Sequence, residues 1–404
     1  MKKNIYQAKG HLIDSGLFSQ IVNTILNEGL DYSIENLKIG KQENEQSIAR
    51  FSITAETDEQ FENILKKISP LGVYPLSYNN AIFLQAEKDK HAPQNFYSTT
   101  NHRTEVFTNN KWIEVKNQRM DATIRKEDNN ILRCIKLRDV KKGDLILVEE
   151  DSVRVYPPQI ENSNDDFSFM SNDVSSERRC EIAVSQISEQ IKEIKDRNGK
   201  IVVVAGPVVI HTGGADYLAS LIKNGFIDGF LGGNAIAVHD LESRFFNTSL
   251  GIDMLSGKVS EHGHNHHMKA INVIYGEGSI KNAIQNGVLT KGVMYEVIKN
   301  NIPYCLAGSI RDDGPLPETV NDMIEAQKQY ATIIKDADMI LMLSTMLHSI
   351  GTGNMIPSSV KTICVDINPA VVTKLSDRGT GQAVGVVSDV GLFLKILCEK
   401  LVNK

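Results

Sequence analysis

Arg311, Asp312 and Asp313 follow a short apolar run (304–307) and a Gly308-Ser309 step. A guanidinium pairs with a carboxylate through two parallel hydrogen bonds, so Arg311 is a natural clamp for an acidic ligand group. Its alternative is a surface or interface arginine. Asp312 and Asp313 suit an amine or the hydroxyls of a ribose; Asp313-Gly314-Pro315 could equally cap a helix starting near Pro317. His211, in GPVVIHTGG, can carry protons near neutral pH or serve only structure. Asp366 ends the apolar run 362–365. A carboxylate at the C-terminal tip of such a strand is where a dinucleotide's adenosine ribose is usually held. Its alternative is to cap a helix opened by Asn368-Pro369. Ser344, Thr345, Met346, Leu347 and His348 come directly after another apolar run, 339–343.

These groups need elements that bring them to one place. Runs 201–205, 229–231, 304–307, 339–343 and 362–365 are short and apolar, and helical spacing separates them. That alternation implies a parallel sheet with helices on both faces. Ligands of such sheets bind beyond the C-terminal strand ends. Each run here stops at glycine or small polar residues: Gly206 and then His211 to Gly214; Gly232-Gly233-Asn234; Gly308-Ser309; Ser344-Thr345; Asp366. Asn234, Ala235, Ile367 and, after a last short strand, Asp389 and Val390 fall at the same ends. The GxGxxG fingerprint is absent after the first run, so an ordinary Rossmann dehydrogenase is not expected. Gly379, Gly381 and Gly385 form a glycine-rich loop without that spacing.

Upstream, strand patterns at 5–13, 32–39, 47–54 and 81–85 alternate with helical patterns at 17–26 and 61–68. The order β-α-β-β-α-β predicts a ferredoxin-like module over residues 1–90. A β-rich segment and linker follow over 91–177, with two strands across an acidic turn in 140–158, as in a small barrel or hairpin insert. Residues 159–177, rich in Asn, Ser and Asp, are the linker. The α/β domain occupies 178–404 and opens on a helix over 178–195.

A chain of 404 residues calls for two or three domains. Its net charge of −6 offers no basic face for nucleic acid or a membrane surface. No apolar stretch has the length of a membrane span, and no signal peptide opens the chain. Five scattered cysteines without a CxxC pair point to a reducing cytoplasm. The run from Glu261 to His267 carries four histidines, but within one short loop and without a second ligand group, so no metal is expected. That loop reads better as a substrate-side source of His or Glu.

The segments VVVAGPVVIHTGGADYLASLI, FLGGNAIAVHDLE, CLAGSIRDDGPLPE, LMLSTMLHSIGTGNM and CVDINPAVVTKLSDRG, with GHLIDSGL near the start, carry a resemblance over nearly the full length. The chain resembles the family named for a conserved region of lysine-oxoglutarate reductase/saccharopine dehydrogenase. Within it the match is closest to archaeal-type ornithine cyclodeaminases, which also form the C-terminal part of cyanobacterial arginine dihydrolase fusions. The resemblance implies an NAD-binding α/β domain similar to deoxyhypusine synthase. It also implies conversion of L-ornithine to L-proline and ammonia, and, since sheets similar to deoxyhypusine synthase usually complete their sites across subunits, a homo-oligomer. A chain starting at the GHLIDSGL module is expected to lack arginine cleavage. NAD suits the chemistry because taking the Cα hydride turns the α-amine into an imine that the δ-amine can attack. On this reading Arg311 holds the α-carboxylate, and Asp312 or Asp313 handles an amine or the nicotinamide ribose. His211 shuttles a proton. NAD touches Asn234, Ala235, the Ser344 to His348 loop, Asp366, Ile367, Asp389 and Val390, with the backbone of His348 cradling it rather than its ring reacting. A transferase like deoxyhypusine synthase and an NAD-responsive regulator are the competing classes.

Overall fold

The computed structural model describes residues 2–10, 12–13, 16–40, 47–76, 79–156, 176–249, 252–253, 266–312, 314–371, 374 and 383–402. The chain forms two compact units, Met1–Asp165 with Asn354–Ser359, and Asp166–Gly353 with Val360–Lys404.

In the first unit, strands Lys2–Gly10, Asp31–Lys38, Ser47–Ala55 and Val73–Pro75 make an antiparallel sheet. The hairpin Asp31–Lys38/Ser47–Ala55 lies at one side, then Lys2–Gly10, then Val73–Pro75 at the far edge. This is the ferredoxin-like order. Ala49, Phe51 and Ile53 alternate onto the buried face and meet Ile21 and Ile25 of helix Leu17–Asn27 and Ile64 and Ile68 of helix Asp58–Ile68. Thr57 and Gln60 close a reciprocal capping box at the second helix.

The expected fourth strand at 81–85 is corrected here. Val73–Pro75 takes that place, while Ile82–Gln85 pairs with Leu145–Val148 in a separate seven-stranded sheet. In that second sheet Leu145–Val148 and Val153–Tyr156 are not hairpin partners. The first pairs with Ile82–Gln85 and Thr123–Lys126, the second with Arg103–Thr108, near opposite ends of the strand order. Only four residues join them, so the sheet must curl until its ends approach, as a small barrel does.

The second unit is a seven-stranded, all-parallel sheet. Its order is Thr319–Val320, Tyr304–Ala307, Gly229–Gly233, Ile201–Ala205, Met339–Leu343, Lys361–Asp366, Ala383–Val387. Leaving aside the short edge strand Thr319–Val320, this is the doubly wound arrangement, reached without the glycine fingerprint. Ile201–Ala205 and Met339–Leu343 are buried at every position, which is why they read as unbroken apolar runs. Helix Ser176–Asp196 and the last helix, Val390–Leu401, pack their Ile187, Ile191, Phe393 and Leu397 into the same core.

Candidate active site

The strand order creates a switch point between Ile201–Ala205 and Met339–Leu343, where the two halves of the sheet run outward in opposite directions. Beyond their C-terminal ends the chains come unusually close. Gly206 N donates to Leu343 O at 2.9 Å. A Cβ on Gly206 would stand 2.3 Å from Ser344 O and 3.0 Å from Thr345 Cβ, so only glycine lets the two loops meet. Ser344 turns the chain out of its strand in the left-handed region, φ 47, with its N–H on Val365 O at 2.9 Å.

The next strand ends on Asp366, whose Oδ1 accepts from Asn368 N at 2.8 Å. That bond closes a turn, and the capping place before Pro369 is taken by Asn368, whose Oδ1 accepts from Ala370 N at 3.0 Å; among the described residues no hydrogen bond occupies Asp366 Oδ2. Ile367, directly after Asp366, and Leu347, in the helix that follows the neighbouring strand, are each 72% exposed. A carboxylate beside exposed apolar side chains at a switch point fits a nucleoside: hydroxyls for the acid, a flat base for the apolar rim. Met346 opens helix Met346–Gly353 on the same rim. Other expected contacts have side chains committed to the fold. Asn234 is buried, and its Oδ1 accepts from Leu316 N at 3.0 Å and Thr319 Oγ1 at 2.9 Å. Ala235 follows it in the first turn of helix Asn234–Phe246. Asp389 caps the last helix through Leu392 N at 2.8 Å, and Val390 is core.

At His348, whose backbone and not its ring was expected to matter, the ring is held by specific partners. Tyr330 Oη donates to Gly232 O at 2.8 Å and lies 3.1 Å from His348 Nδ1. With its own proton given to the carbonyl, Tyr330 accepts from Nδ1–H, which leaves Nε2 with a lone pair. That Nε2 would be 2.8 Å from a Cβ on Gly233, so it sits directly over the glycine-ended strand. Burial lowers the affinity of His348 for a proton, and the Asp312 carboxylate partly restores it. The result is a neutral, oriented imidazole suited to take a proton.

Asp312 folds back on its own loop: Oδ2 accepts from Ser309 N at 2.7 Å and Oδ1 from Ser309 Oγ at 3.3 Å. Arg311 is exposed, with its backbone N–H on Ser309 Oγ at 3.1 Å. Asp313 lies outside the described residues, so Asp313-Gly314-Pro315 is not described as a cap. Helix Met323–Ile334, the next one, is capped by Asp322 through Ile324 N and Glu325 N, and no helix starts at Pro317.

His211 belongs to a second polar group, in the short helix Val208–His211 that follows strand Ile201–Ala205. Its Nδ1 bonds Ser249 Oγ, and its ring meets His239 edge-on with centroids 4.7 Å apart. Burial, then His239, pushes the His211 imidazole down to about 4 against the pull of Glu242. Glu242, fully buried, accepts from His239 Nδ1 at 2.9 Å and Thr248 Oγ1 at 3.0 Å. Thr248 Oγ1 is 2.9 Å from His266 Nδ1, and His266 stacks on Phe246. His266 and His267 are the described part of the histidine-rich loop; residues 262–265 lie outside it, as do Gly379 and Gly381. Among the described residues no three His, Cys, Asp or Glu groups are arranged to hold a metal ion.

Tyr330, His239 and Glu242 were not singled out from sequence. A tyrosine inside IEAQKQYATII and a His-Asp-Leu-Glu run on a helix both read as ordinary core-facing positions.

The comparisons with known proteins bear on this arrangement. Residues 3–102 match the LOR/SDH bifunctional enzyme conserved region, 103–184 the first region of an arginine dihydrolase ArgZ-like C-terminus, and 185–397 its Rossmann-fold region. An ornithine cyclodeaminase of Methanocaldococcus jannaschii is 47% identical, over 98% of this chain and 95% of the relative. A crystal structure of apo ArgZ, a cyanobacterial arginine dihydrolase, superposes with TM-score 0.86 at 44% identity, over 99% of this chain and 58% of that longer one. A ternary complex of AgrE with ornithine and NAD+ gives TM-score 0.54 at 45% identity, over 99% of this chain and again 58% of that one. This chain belongs to the family that joins the LOR/SDH conserved region to an ArgZ-like C-terminal Rossmann domain.

Proposed function

We propose that the chain converts L-ornithine to L-proline and ammonia, as an NAD-dependent lyase. The observation that carries this reading is the oriented His348 imidazole over the Gly233 strand end with the Asp312 carboxylate in its field, in a chain so similar to ornithine cyclodeaminases. NAD would lie across the strand ends, with Asp366 at a ribose, the Ser344 to His348 loop and Ile367 beside it, and the Asn234, Ala235, Asp389 and Val390 positions flanking. When bound, it supplies an acceptor and donor for the hydrogen at Cα.

The chain's own groups do the rest. Arg311, exposed and next to Asp312 in the chain, pairs with the α-carboxylate, since a guanidinium holds a carboxylate through two parallel hydrogen bonds. His348 Nε2 takes a proton from a substrate amine, and Tyr330 keeps that nitrogen bare. Asp312 steadies the positive charge that His348 then carries. His211 and His239, with Glu242 behind them, are a second proton path. Holding the δ-amine next to Cα makes ring closure intramolecular.

The reading extends to proline supply from ornithine, a cytoplasmic setting and a homo-oligomer of two-fold or dihedral symmetry. All five cysteines are buried free thiols, which supports a reducing compartment. Among the described residues no helix is long and apolar enough to cross a membrane. Closed symmetry is the common solution for such enzymes, and light scattering tests it, a monomer at micromolar concentration counting against it. The reaction is tested by incubating the purified chain with L-ornithine and following proline and ammonia, with and without added NAD. Equimolar release that depends on NAD is expected; no release from NAD-saturated protein would overturn the assignment.

A further inference from the structure

Glu242 is fully buried on helix Asn234–Phe246, and each of its carboxylate oxygens leads to a histidine. Oε2 accepts from His239 Nδ1 at 2.9 Å. Oε1 accepts from Thr248 Oγ1 at 3.0 Å, and Thr248 Oγ1 stands 2.9 Å from His266 Nδ1. A hydroxyl has one hydrogen to give. Thr248 gives its own to the carboxylate, so toward His266 it can only accept. Nδ1 therefore carries the hydrogen on both rings, and Nε2 is the nitrogen left to take and release a proton. One carboxylate sets the tautomer of two imidazoles, the first directly and the second through a hydroxyl.

The ring planes are held as well. His266 stacks on Phe246, centroids 4.8 Å apart and planes inclined by 21°, and His239 meets the His211 ring edge-on at 4.7 Å. Both helices that carry these rings are tied to the loop bearing Arg311 and Asp312. Asn234, the first residue of the His239 helix, accepts from Leu316 N at 3.0 Å. Helix His266–Glu277 lies along the same loop. Its Tyr275 Oη donates to Pro315 O at 2.7 Å, and a Cβ on Gly314 would stand 3.7 Å from Ile271 and 3.9 Å from Met268. Gly314 is two residues beyond Asp312. The elements that hold the two rings are thus the ones that hold the loop of the proposed carboxylate clamp.

We propose that Glu242 is a positioning residue that keeps Nε2 of His239 and of His266 available for proton transfer to and from the second substrate nitrogen. This rests on the ornithine reaction proposed above. In ring closure the δ-nitrogen gives up a proton as it bonds to Cα. The α-nitrogen takes up a proton as its bond to Cα breaks, keeps the electron pair of that bond and leaves as ammonia. One proton is given and one is taken, so the charge of the site is unchanged. His348 serves one nitrogen, and the pair held by Glu242 serves the other.

Nuclear magnetic resonance of the full chain with isotope-labelled histidine reads the tautomers at about pH 8, above the ordinary imidazole value. His239→Gln and His266→Gln assign the two rings. The wild type should show Nδ1–H and bare Nε2 on both; Nε2–H with bare Nδ1 on either would overturn the proposal. An amide in place of the carboxylate offers one acceptor and one donor, so Glu242→Gln should flip one ring. In that variant kcat should fall at least about tenfold, with KM for ornithine and NAD affinity within about twofold of the wild type. Thr248→Val should release His266 alone, leave His239 as it was and lower kcat by a smaller factor. It carries the comparison if Glu242→Gln does not fold. Wild-type kcat in a variant whose tautomer has changed would overturn the positioning role, as would unchanged tautomers in both folded variants. A wild type that shows both tautomers but makes no proline would fail the proposed reaction, and with it the catalytic role, but not the tautomer lock.

Discussion

Tyr330 Oη stands 3.1 Å from His348 Nδ1, and this contact decides which nitrogen of the ring is bare. The tyrosine has already given its proton to Gly232 O at 2.8 Å, so it can only accept from the imidazole. Burial holds the phenol far above its ordinary range, which keeps it a phenol and keeps the arrangement fixed.

Tyr330→Phe removes that lock. His348 is then free to place its proton on Nε2, where it is useless as a base. The loss of one buried hydrogen bond, about 1.4 kcal/mol, corresponds to roughly a tenfold lower kcat with KM little changed. Steady-state kinetics checks this, and an unchanged kcat would remove His348 from the chemistry.

The pH profile follows from the same ring. Burial lowers its proton affinity, so the acid limb of kcat/KM should lie below the ordinary imidazole value of about 6.5. Asp312 works against burial and favours the protonated ring. Asp312→Asn should therefore move the limb to still lower pH. A limb that moves upward in that variant would contradict the placement.

Gly233→Ala tests the geometry without removing a polar group. The new methyl would meet His348 Nε2 at 2.8 Å, while the backbone there, φ −89, accepts alanine. The ring must shift, so turnover should fall at least tenfold with the melting temperature within a few degrees of wild type. Full activity would show that the ring's position is not used.

Much of this was legible in the sequence, for physical reasons. Residues buried on both faces give strands such as 339–343 as bare apolar runs, and their ends mark the rim where ligands bind. Asp366 and Ser344 were visible because a polar residue that ends such a run stands out. Tyr330 was not, because it reaches the rim from the helix Met323–Ile334, and helical periodicity reports only that it faces inward. Val73–Pro75 was missed for a different reason. Three residues ending in proline carry no alternation to read, and the longer apolar run at 82–85 drew the assignment to itself. The linkage of Glu242 to His266 through Thr248 is tertiary and leaves no local trace.

At the cofactor edge, Asp366→Ala and Asp366→Asn should differ. The alanine loses both the charge and the turn that Asp366 closes on Asn368 N; asparagine can keep the turn. Both should weaken NAD binding in calorimetry, alanine more. Asparagine should also narrow the preference for NAD over NADP, since a carboxylate repels a 2′-phosphate. Equal affinity of the native chain for both cofactors would argue against Asp366 at the ribose.

The central claim is that the hydrogen leaving Cα of ornithine is held in the site and returned to the same carbon. L-ornithine deuterated at Cα, turned over by the NAD-loaded chain in ordinary water and read by NMR or mass spectrometry, tests it most directly. The account predicts L-proline that retains deuterium at Cα, formed with one ammonia per turnover. Complete replacement of that deuterium by solvent hydrogen would contradict it.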